Sequence, residues 1–75
     1  NPSQDYVAVQ VGDLVTENIQ VELFDAAGKL VRTSMILQGS TLTYLDVRTL
    51  YNGNYIAKFT AGNRVVSKVL TVARL

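Results

Sequence analysis

The chain has 75 residues, the length of one small domain, and carries a formal net charge of +1 without any basic run. It contains no cysteine and no histidine, which excludes disulfides and thiolate metal sites and removes the commonest general base. No nucleic-acid partner is indicated by this charge pattern, and no apolar run is long enough to insert into a membrane.

The first part of the chain alternates apolar and polar residues with the period of a β-strand. Residues 6–11 predict a first strand with Val7, Val9 and Val11 on one face. After a loop, residues 19–25 predict a second strand, in which Ile, Val and Leu alternate with Gln and Glu. Such alternation is typical of a sheet that is buried on one side only.

The segment DAAGK, residues 25–29, is predicted to be a tight turn. Asp25 can accept hydrogen bonds from the backbone N–H groups ahead of it, and Gly28 can adopt the left-handed conformation that ends the turn. Residues 29–37 then return as a third strand. This strand is long and less regular, so we expect a bend or bulge near residues 33–34.

Three further strands follow a turn at residues 38–40. They are predicted at 41–47, 54–60 and 64–73. Between the last two, Gly62-Asn63 matches a two-residue type II′ hairpin with glycine first. The last strand carries apolar residues on both faces, which suits a strand with the core on one side and a neighbour or partner on the other.

The strands number six, or seven if the third one splits, and the connections between them are short. Antiparallel pairing is therefore favoured, because parallel strands need crossovers of a dozen or more residues. One sheet alone would leave apolar faces in water, so the sequence predicts an immunoglobulin-like antiparallel β-sandwich. A small barrel is the alternative architecture.

Asn52-Gly53 matches a hairpin turn, but its neighbours do not alternate as hairpin strands should. In immunoglobulin-like sandwiches, a tyrosine near the start of a late strand turns its hydroxyl to an upstream backbone group and fixes the crossing between the sheets. Leu50, Gly53 and Tyr55 fit such a corner: the leucine fills the core end, the glycine supplies backbone freedom and the tyrosine buries its ring. An ordinary loop followed by a core tyrosine is the alternative.

The residues that could carry chemistry do not suggest catalysis. The carboxylates are dispersed over turns, loops and exposed strand positions: Asp5, Asp13, Glu17, Glu22, Asp25 and Asp46. Asp13 and Glu17 share a loop that lacks the alternating spacing of a calcium site. The serines have no histidine partner, and the glycines form no phosphate-binding loop. We therefore expect no enzyme activity, no metal and no cofactor.

Three segments, taken in order, resemble one protein family. NPS at residues 1–3 is similar to the end of a Pro-Asn-Pro opening motif, and LFDAAGKLV at 23–31 to a Tyr/Phe-Asp-x-x-Gly-Lys/Arg-x-Val segment. LDVRTLYNGNYIAKF at 45–59 resembles a Leu-x-x-Gly-x-Tyr segment, and Lys68 falls where the family has a lysine in its closing strand. The family is the C-terminal sorting domain of the type IX (Por) secretion system, and the resemblance covers the whole chain.

This resemblance implies a role in protein transport. Such domains are secretion signals at the C-terminus of cargo proteins of Gram-negative Bacteroidetes. They fold as immunoglobulin-like sandwiches in the periplasm and direct the cargo across the outer membrane through a translocon. A surface sortase then usually cleaves upstream of the domain, and the cargo body is commonly attached to anionic lipopolysaccharide at the cell surface. The implied partners are the outer-membrane translocon and the sortase.

Matching to the family's motifs implies five residues that matter for recognition or for the fold: Gly28, Lys29, Gly53, Tyr55 and Lys68. The two glycines and the tyrosine are expected to hold the fold, whereas the two lysines are expected to contact the secretion machinery. The chain is expected to be a single sorting domain, with an opening segment at 1–5, the sandwich at 6–73 and a tail at 74–75 consistent with a cloning remnant.

Other expectations remain open beside this one. The last strand invites pairing with a partner edge, and domain-swapped homodimers at high concentration. Tyr44 and Tyr51 could form an exposed aromatic pair, which would favour a carbohydrate-binding or adhesive immunoglobulin-like module of a secreted protein. A purely structural spacer is the third class.

Overall fold

The computed structural model of the chain describes residues 6–11 and 16–73. The strands are β1 (Tyr6–Gln10), β2 (Ile19–Phe24), β3 (Leu30–Ile36), β4 (Leu42–Asp46), β5 (Gly53–Ala61) and β6 (Arg64–Val72). Within the described ranges there is no helix, and hence none that could cross a membrane. The opening segment at 1–5, part of the first loop at 12–15 and the tail at 74–75 lie outside the described residues.

The strands form two antiparallel sheets. One sheet pairs β1 with β4, and the other has the strand order β3-β2-β5-β6. Every pairing is antiparallel, as the short connections require. Apolar residues of both sheets pack between them, so the predicted immunoglobulin-like sandwich is confirmed and the barrel alternative is not. The third strand does not split, which makes six strands in the described part of the chain.

The core consists of apolar side chains contributed by both sheets and by the loop after β4: Val21, Leu23, Ile36, Leu45, Val47, Leu50, Tyr55, Ala57 and Val72. The predicted apolar face of β1 packs against this core through its valines. On β2, Val21 and Leu23 are fully buried while Gln20 is exposed, so the predicted alternation places the strand correctly. No polar or charged residue of the described ranges is buried, so the core is built from the apolar residues alone.

The irregularity in β3 does not lie where the sequence predicted it. The pairing with β2 shifts between Leu23 and Phe24, which leaves Val31 as the extra residue of a bulge. The bend expected near residues 33–34 therefore lies earlier, close to the preceding turn. With this bulge, Val31 packs against the core while Leu30 remains 44% exposed.

The hairpin between β5 and β6 has the predicted turn. Ala61 pairs with Arg64, which leaves Gly62 and Asn63 as a two-residue loop. Gly62 has a φ of 61°, and no other residue type adopts a positive φ within the described ranges. A positive φ at the first loop position alone is the signature of a type II′ turn.

Polar side chains join the two sheets at the edge where β3 meets β4. Nε of Arg32 donates a hydrogen bond to the carbonyl oxygen of Asp46 at 2.7 Å, and the same guanidinium donates to the hydroxyl of Thr49. The hydroxyl oxygens of Ser34 and Thr43 lie 2.6 Å apart in a further hydrogen bond. This edge of the sandwich is thus closed by hydrogen bonds.

Asp46 organises the turn that follows β4. Its Oδ1 accepts hydrogen bonds from the backbone N–H and from Nε of Arg48, both at 3.0 Å, and its Oδ2 accepts one from Nη2 at 2.8 Å. The side-chain hydrogen bonds from Arg48, helped by its backbone N–H and its charge, lower the pKa of Asp46 to about 2. The carboxylate is therefore ionised throughout the physiological pH range.

Tyr55 forms the predicted corner between the sheets. Its ring is buried, and its hydroxyl donates a hydrogen bond of 2.6 Å to the carbonyl oxygen of Tyr51, four residues upstream. Leu50 is buried at the end of the core, and Gly53 has a φ of 155° at the start of β5. The segment is no hairpin, because β4 and β5 belong to different sheets. A buried hydroxyl that is hydrogen-bonded in this way favours one crossing path.

Tyr55→Phe removes only the corner hydroxyl and leaves the carbonyl of Tyr51 without that donor. We expect a loss of about 1–3 kcal/mol in the free energy of unfolding, the usual cost of removing one partner of a buried hydrogen bond. Urea denaturation measures this loss. The matched control is Tyr51→Phe, whose side chain is 88% exposed and whose effect should stay within about 0.5 kcal/mol. Equal effects of the two variants would contradict the corner.

Asp46→Asn should make the domain less stable in a pH-dependent way. Because the folded pKa is lowered from 3.8 to about 2, the stabilisation by the carboxylate is fully present above the unfolded pKa and is lost as the pH falls through the folded one. The difference in urea midpoint between wild type and variant should therefore be constant above about pH 5 and shrink towards pH 2. A difference that does not change with pH would show that the carboxylate charge contributes nothing.

Candidate functional site

The turn at residues 25–29 is held by Asp25, as the sequence predicts. Its Oδ1 accepts hydrogen bonds of 2.9 Å from the backbone N–H groups of Ala27 and Lys29, and its carbonyl accepts one of 3.0 Å from Gly28. Gly28 has a φ of 84°, and a Cβ built there would meet nothing within 4 Å. The glycine is therefore required by backbone conformation and not by a close contact.

This turn and the tyrosine corner lie at the same end of the sandwich. Phe24, the last residue of β2, pairs with Ile56 of β5, so the turn after β2 comes to lie beside the start of β5. Together they line a shallow depression of about 340 Å³. Its lining residues are Asp25, Ala26, Ala27, Asn52, Gly53, Asn54 and Tyr55. We call this surface the motif end, since it joins the two segments that carry the family motifs.

Lys29 follows the turn directly, with its backbone fixed and its side chain exposed. The ion pair of the described residues joins Asp46 and Arg48, and the ammonium group of Lys29 forms no ion pair with a carboxylate of that part of the chain. The structure thus places a positive charge next to the motif end, on a backbone that cannot easily rearrange.

Lys68 lies elsewhere. It pairs with Ala57 in the middle of β6, and Ala57 lies four positions after Gly53 along β5, on the order of 13 Å of extended chain. Its side chain lines a cleft of about 440 Å³ at the open side of the sandwich, together with Phe59 and Val66. The predicted set of residues is therefore divided: four lie at or beside the motif end, and Lys68 does not.

The sequence interpretation missed Arg64, which lines the same cleft as Lys68. The signal was present in the alternation of β6, because residues 64, 66 and 68 share one face of the strand. Deciding that this face points between the sheets needed the register with β5, which the sequence alone does not supply.

The described carboxylates do not converge. Within residues 6–11 and 16–73, no group of three or more His, Cys, Asp and Glu side chains could hold a metal ion. The carboxylates of Asp25 and Asp46 are engaged by hydrogen bonds within their own turns. Asp5 and Asp13 lie outside the described residues. The described surface thus offers a turn and a corner whose backbones are held by hydrogen bonds, with the charge of Lys29 beside them.

The two tyrosines considered for sugar binding are exposed, Tyr44 by 59% and Tyr51 by 88%. They lie on different parts of the fold, since Tyr44 is in the middle of β4 and Tyr51 is in the corner. From the register, the diagonal neighbour of Tyr44 across the strand pair is Tyr6. The ring of Tyr6 is itself covered by Arg48, whose guanidinium carbon lies 5.3 Å from the ring centroid in a cation–π contact.

Comparison with known proteins identifies the family. A family model described as "Secretion system C-terminal sorting domain" matches residues 1–73. No curated protein and no solved structure matches the chain. The match spans the DAAGK turn, the tyrosine corner and the whole of the last strand, so it confirms the resemblance first suggested by the motifs. The chain belongs to the family of type IX secretion C-terminal sorting domains.

Proposed function

We propose that this domain is the signal that directs the protein carrying it through the type IX secretion system, and that the secretion machinery reads the motif end. The observation that carries the proposal is the meeting of the DAAGK turn and the tyrosine corner on one surface. These segments are far apart in the sequence but are joined by the pairing of β2 with β5. A recogniser that contacts this surface therefore reads the folded domain as well as its sequence.

The motif end is suited to recognition because its backbone is held in place before a partner arrives. The Asp25 hydrogen bonds fix the turn, and the hydrogen bond from Tyr55 to the carbonyl of Tyr51 fixes the corner. A partner that binds such a surface orders few additional groups, which lowers the entropic cost of association. Lys29 adds a charge that a complementary acidic surface can detect.

The same proposal extends to events around the recognition step. The domain folds in the periplasm, passes with its cargo through an outer-membrane translocon and reaches the cell surface or the medium. A surface sortase cleaves upstream of it, and the cargo body is attached at the surface. The exposed edge of β6 supports strand addition by a partner, and it also supports domain-swapped homodimers at high concentration.

The direct test is to append residues 1–75 to a periplasmic reporter in a host that has this secretion pathway. The reporter should appear at the cell surface or in the medium. A reporter that stays in the periplasm while the appended domain is folded, as judged by its resistance to proteolysis, would overturn the proposal. Tyr44→Ala serves as a control that removes the exposed aromatic of the sugar-binding alternative without touching the motif end.

Lys29→Glu should impair export of this reporter by reversing the charge beside the motif end. As a change of an exposed side chain, it should alter the free energy of unfolding by no more than about 0.5 kcal/mol. Lys29→Arg keeps the charge and should keep export. Quantitative blotting of periplasmic and extracellular fractions measures the effect. Normal export of a stable Lys29→Glu variant would exclude a role for this charge.

A further inference from the structure

The two sheets of the sandwich are unequal in width. A pair of strands, β1 and β4, faces a sheet of four, and β4 lies at the β3 edge, where Ser34 bonds to Thr43. Within the described residues, the narrow sheet therefore leaves the first half of β6, residues 64–68, uncovered, whereas Val72 near the end of β6 belongs to the core. Val66 is 51% exposed there, although it pairs with the partly buried core neighbour Phe59.

The register shows which β6 side chains point between the sheets. Directly opposite residues of an antiparallel pair project from the same face. Lys68 is opposite Ala57, which is buried in the core, and Val66 is opposite Phe59. Arg64, two residues before Val66, points to the same side. The inner face of β6 thus presents cation, valine and cation in succession to the cleft.

A strand edge that pairs with no other described strand borders this cleft. The N–H of Val11 donates to the carbonyl of Thr41 at 2.9 Å, which continues the register of β1 with β4. Because hydrogen-bonded pairs alternate along an antiparallel ladder, Val9 also bonds towards β4. Ala8 and Gln10 therefore direct their N–H and C=O groups to the opposite edge, above the open side of β6. Val11 itself lines the cleft.

The positive charges in the cleft form no ion pair within the described part of the chain. Neither Arg64 nor Lys68 forms an ion pair there. Glu17 is near the end of the cleft, with a carboxylate oxygen 3.4 Å from the position that a Cβ on Gly62 would take, and it does not reach Arg64. The floor of the cleft is apolar, formed by Ile19 and Phe59.

We propose that this cleft binds an extended acidic segment of a partner protein as an additional strand beside β1. The segment hydrogen-bonds to the free edge at Ala8 and Gln10, and alternate side chains point inward as carboxylate, apolar and carboxylate, opposite Arg64, Val66 and Lys68. Backbone pairing supplies affinity and the charges supply selectivity. The biological setting rests on the proposed sorting function, whereas the binding itself does not depend on it.

Charge argues against a second copy of this chain as the occupant. A β6 strand from another copy would bring its own Arg64 and Lys68 towards the same pair, and like charges that face each other destabilise a pairing. The β1 strand carries no charged residue with which to neutralise them. An acidic strand satisfies both the unpaired backbone and the unpaired cations.

The test uses the 75-residue chain and the synthetic peptide Thr-Glu-Thr-Val-Thr-Glu-Thr, which reads the same in both directions. In a ¹⁵N NMR titration, the amide signals of β1 and of residues 64–68 should shift, and the N–H groups of Ala8 and Gln10 should exchange more slowly with solvent. The control peptide has lysine in place of both glutamates and should not bind. Fusing each peptide to the chain through a Gly/Ser linker raises its local concentration to about the millimolar range, so that weak binding is detected.

A pair of variants tests the charge contribution. Lys68→Gln should weaken binding of the acidic peptide by up to about fivefold, the range for exposed ion pairs. Lys58→Gln removes a charge from β5 on a residue that pairs with Ser67, on the other face of the same sheet, and should leave binding unchanged. Equal effects of the two variants would overturn the proposal.

Other outcomes also decide against it. If the lysine peptide binds as well as the acidic one, the cleft does not select for negative charge. If the signal shifts are confined to β3, the peptide binds at another site. Shifts of β1 and β6 signals that depend on protein concentration without peptide would identify a second copy as the occupant. Slow solvent exchange of the Ala8 and Gln10 N–H groups in the absence of peptide would show that another part of the chain itself occupies this edge. Peptide binding with failed reporter export would instead overturn the sorting function and leave the cleft assignment intact.

Discussion

The hydrogen bond from the Tyr55 hydroxyl to the carbonyl of Tyr51 fixes the point where the chain crosses from the narrow sheet to the wide one. It spans the start of β5, and the pairing of β5 with β2 places the DAAGK turn beside the corner. The core continues from the same place, because Leu50 closes its end just before the crossing. In a chain without disulfides, a partly buried hydroxyl with its hydrogen bond satisfied thus helps to hold this end of the domain together.

Much of this architecture could be predicted from local chemistry. The alternation of apolar and polar residues predicted β2, and the tolerance of glycine for a positive φ predicted the turns at Gly28 and Gly62. The corner followed from the spacing of Gly53 and Tyr55. Each of these features is decided by neighbours in the sequence, so the pattern of residue types contains the information that fixes it.

The remaining features depend on contacts between distant residues. The bulge in β3 lies at Val31, whose side chain packs against the core, and no local pattern indicates that contact. Closure of the β3–β4 edge by Arg32 depends on a carbonyl fourteen residues away. The open cleft at β6 follows from the unequal widths of the sheets, and width is a property of strand order, which alternation cannot reveal. The family motif therefore singles out Lys68, but the sequence does not reveal that Lys68 and Lys29 lie on different surfaces.

The described part of the domain has two chemically distinct surfaces: a motif end whose backbone is held by hydrogen bonds, and a cationic cleft beside the edge of β1 that pairs with no other described strand. Photo-crosslinking during export tests most directly whether the motif end is what the secretion machinery contacts. A photoreactive residue at position 27, in the turn, should crosslink to outer-membrane components of the pathway. The same residue at position 44, on the outer face of the narrow sheet, should not. Crosslinks from position 44 in the absence of crosslinks from position 27 would contradict the account.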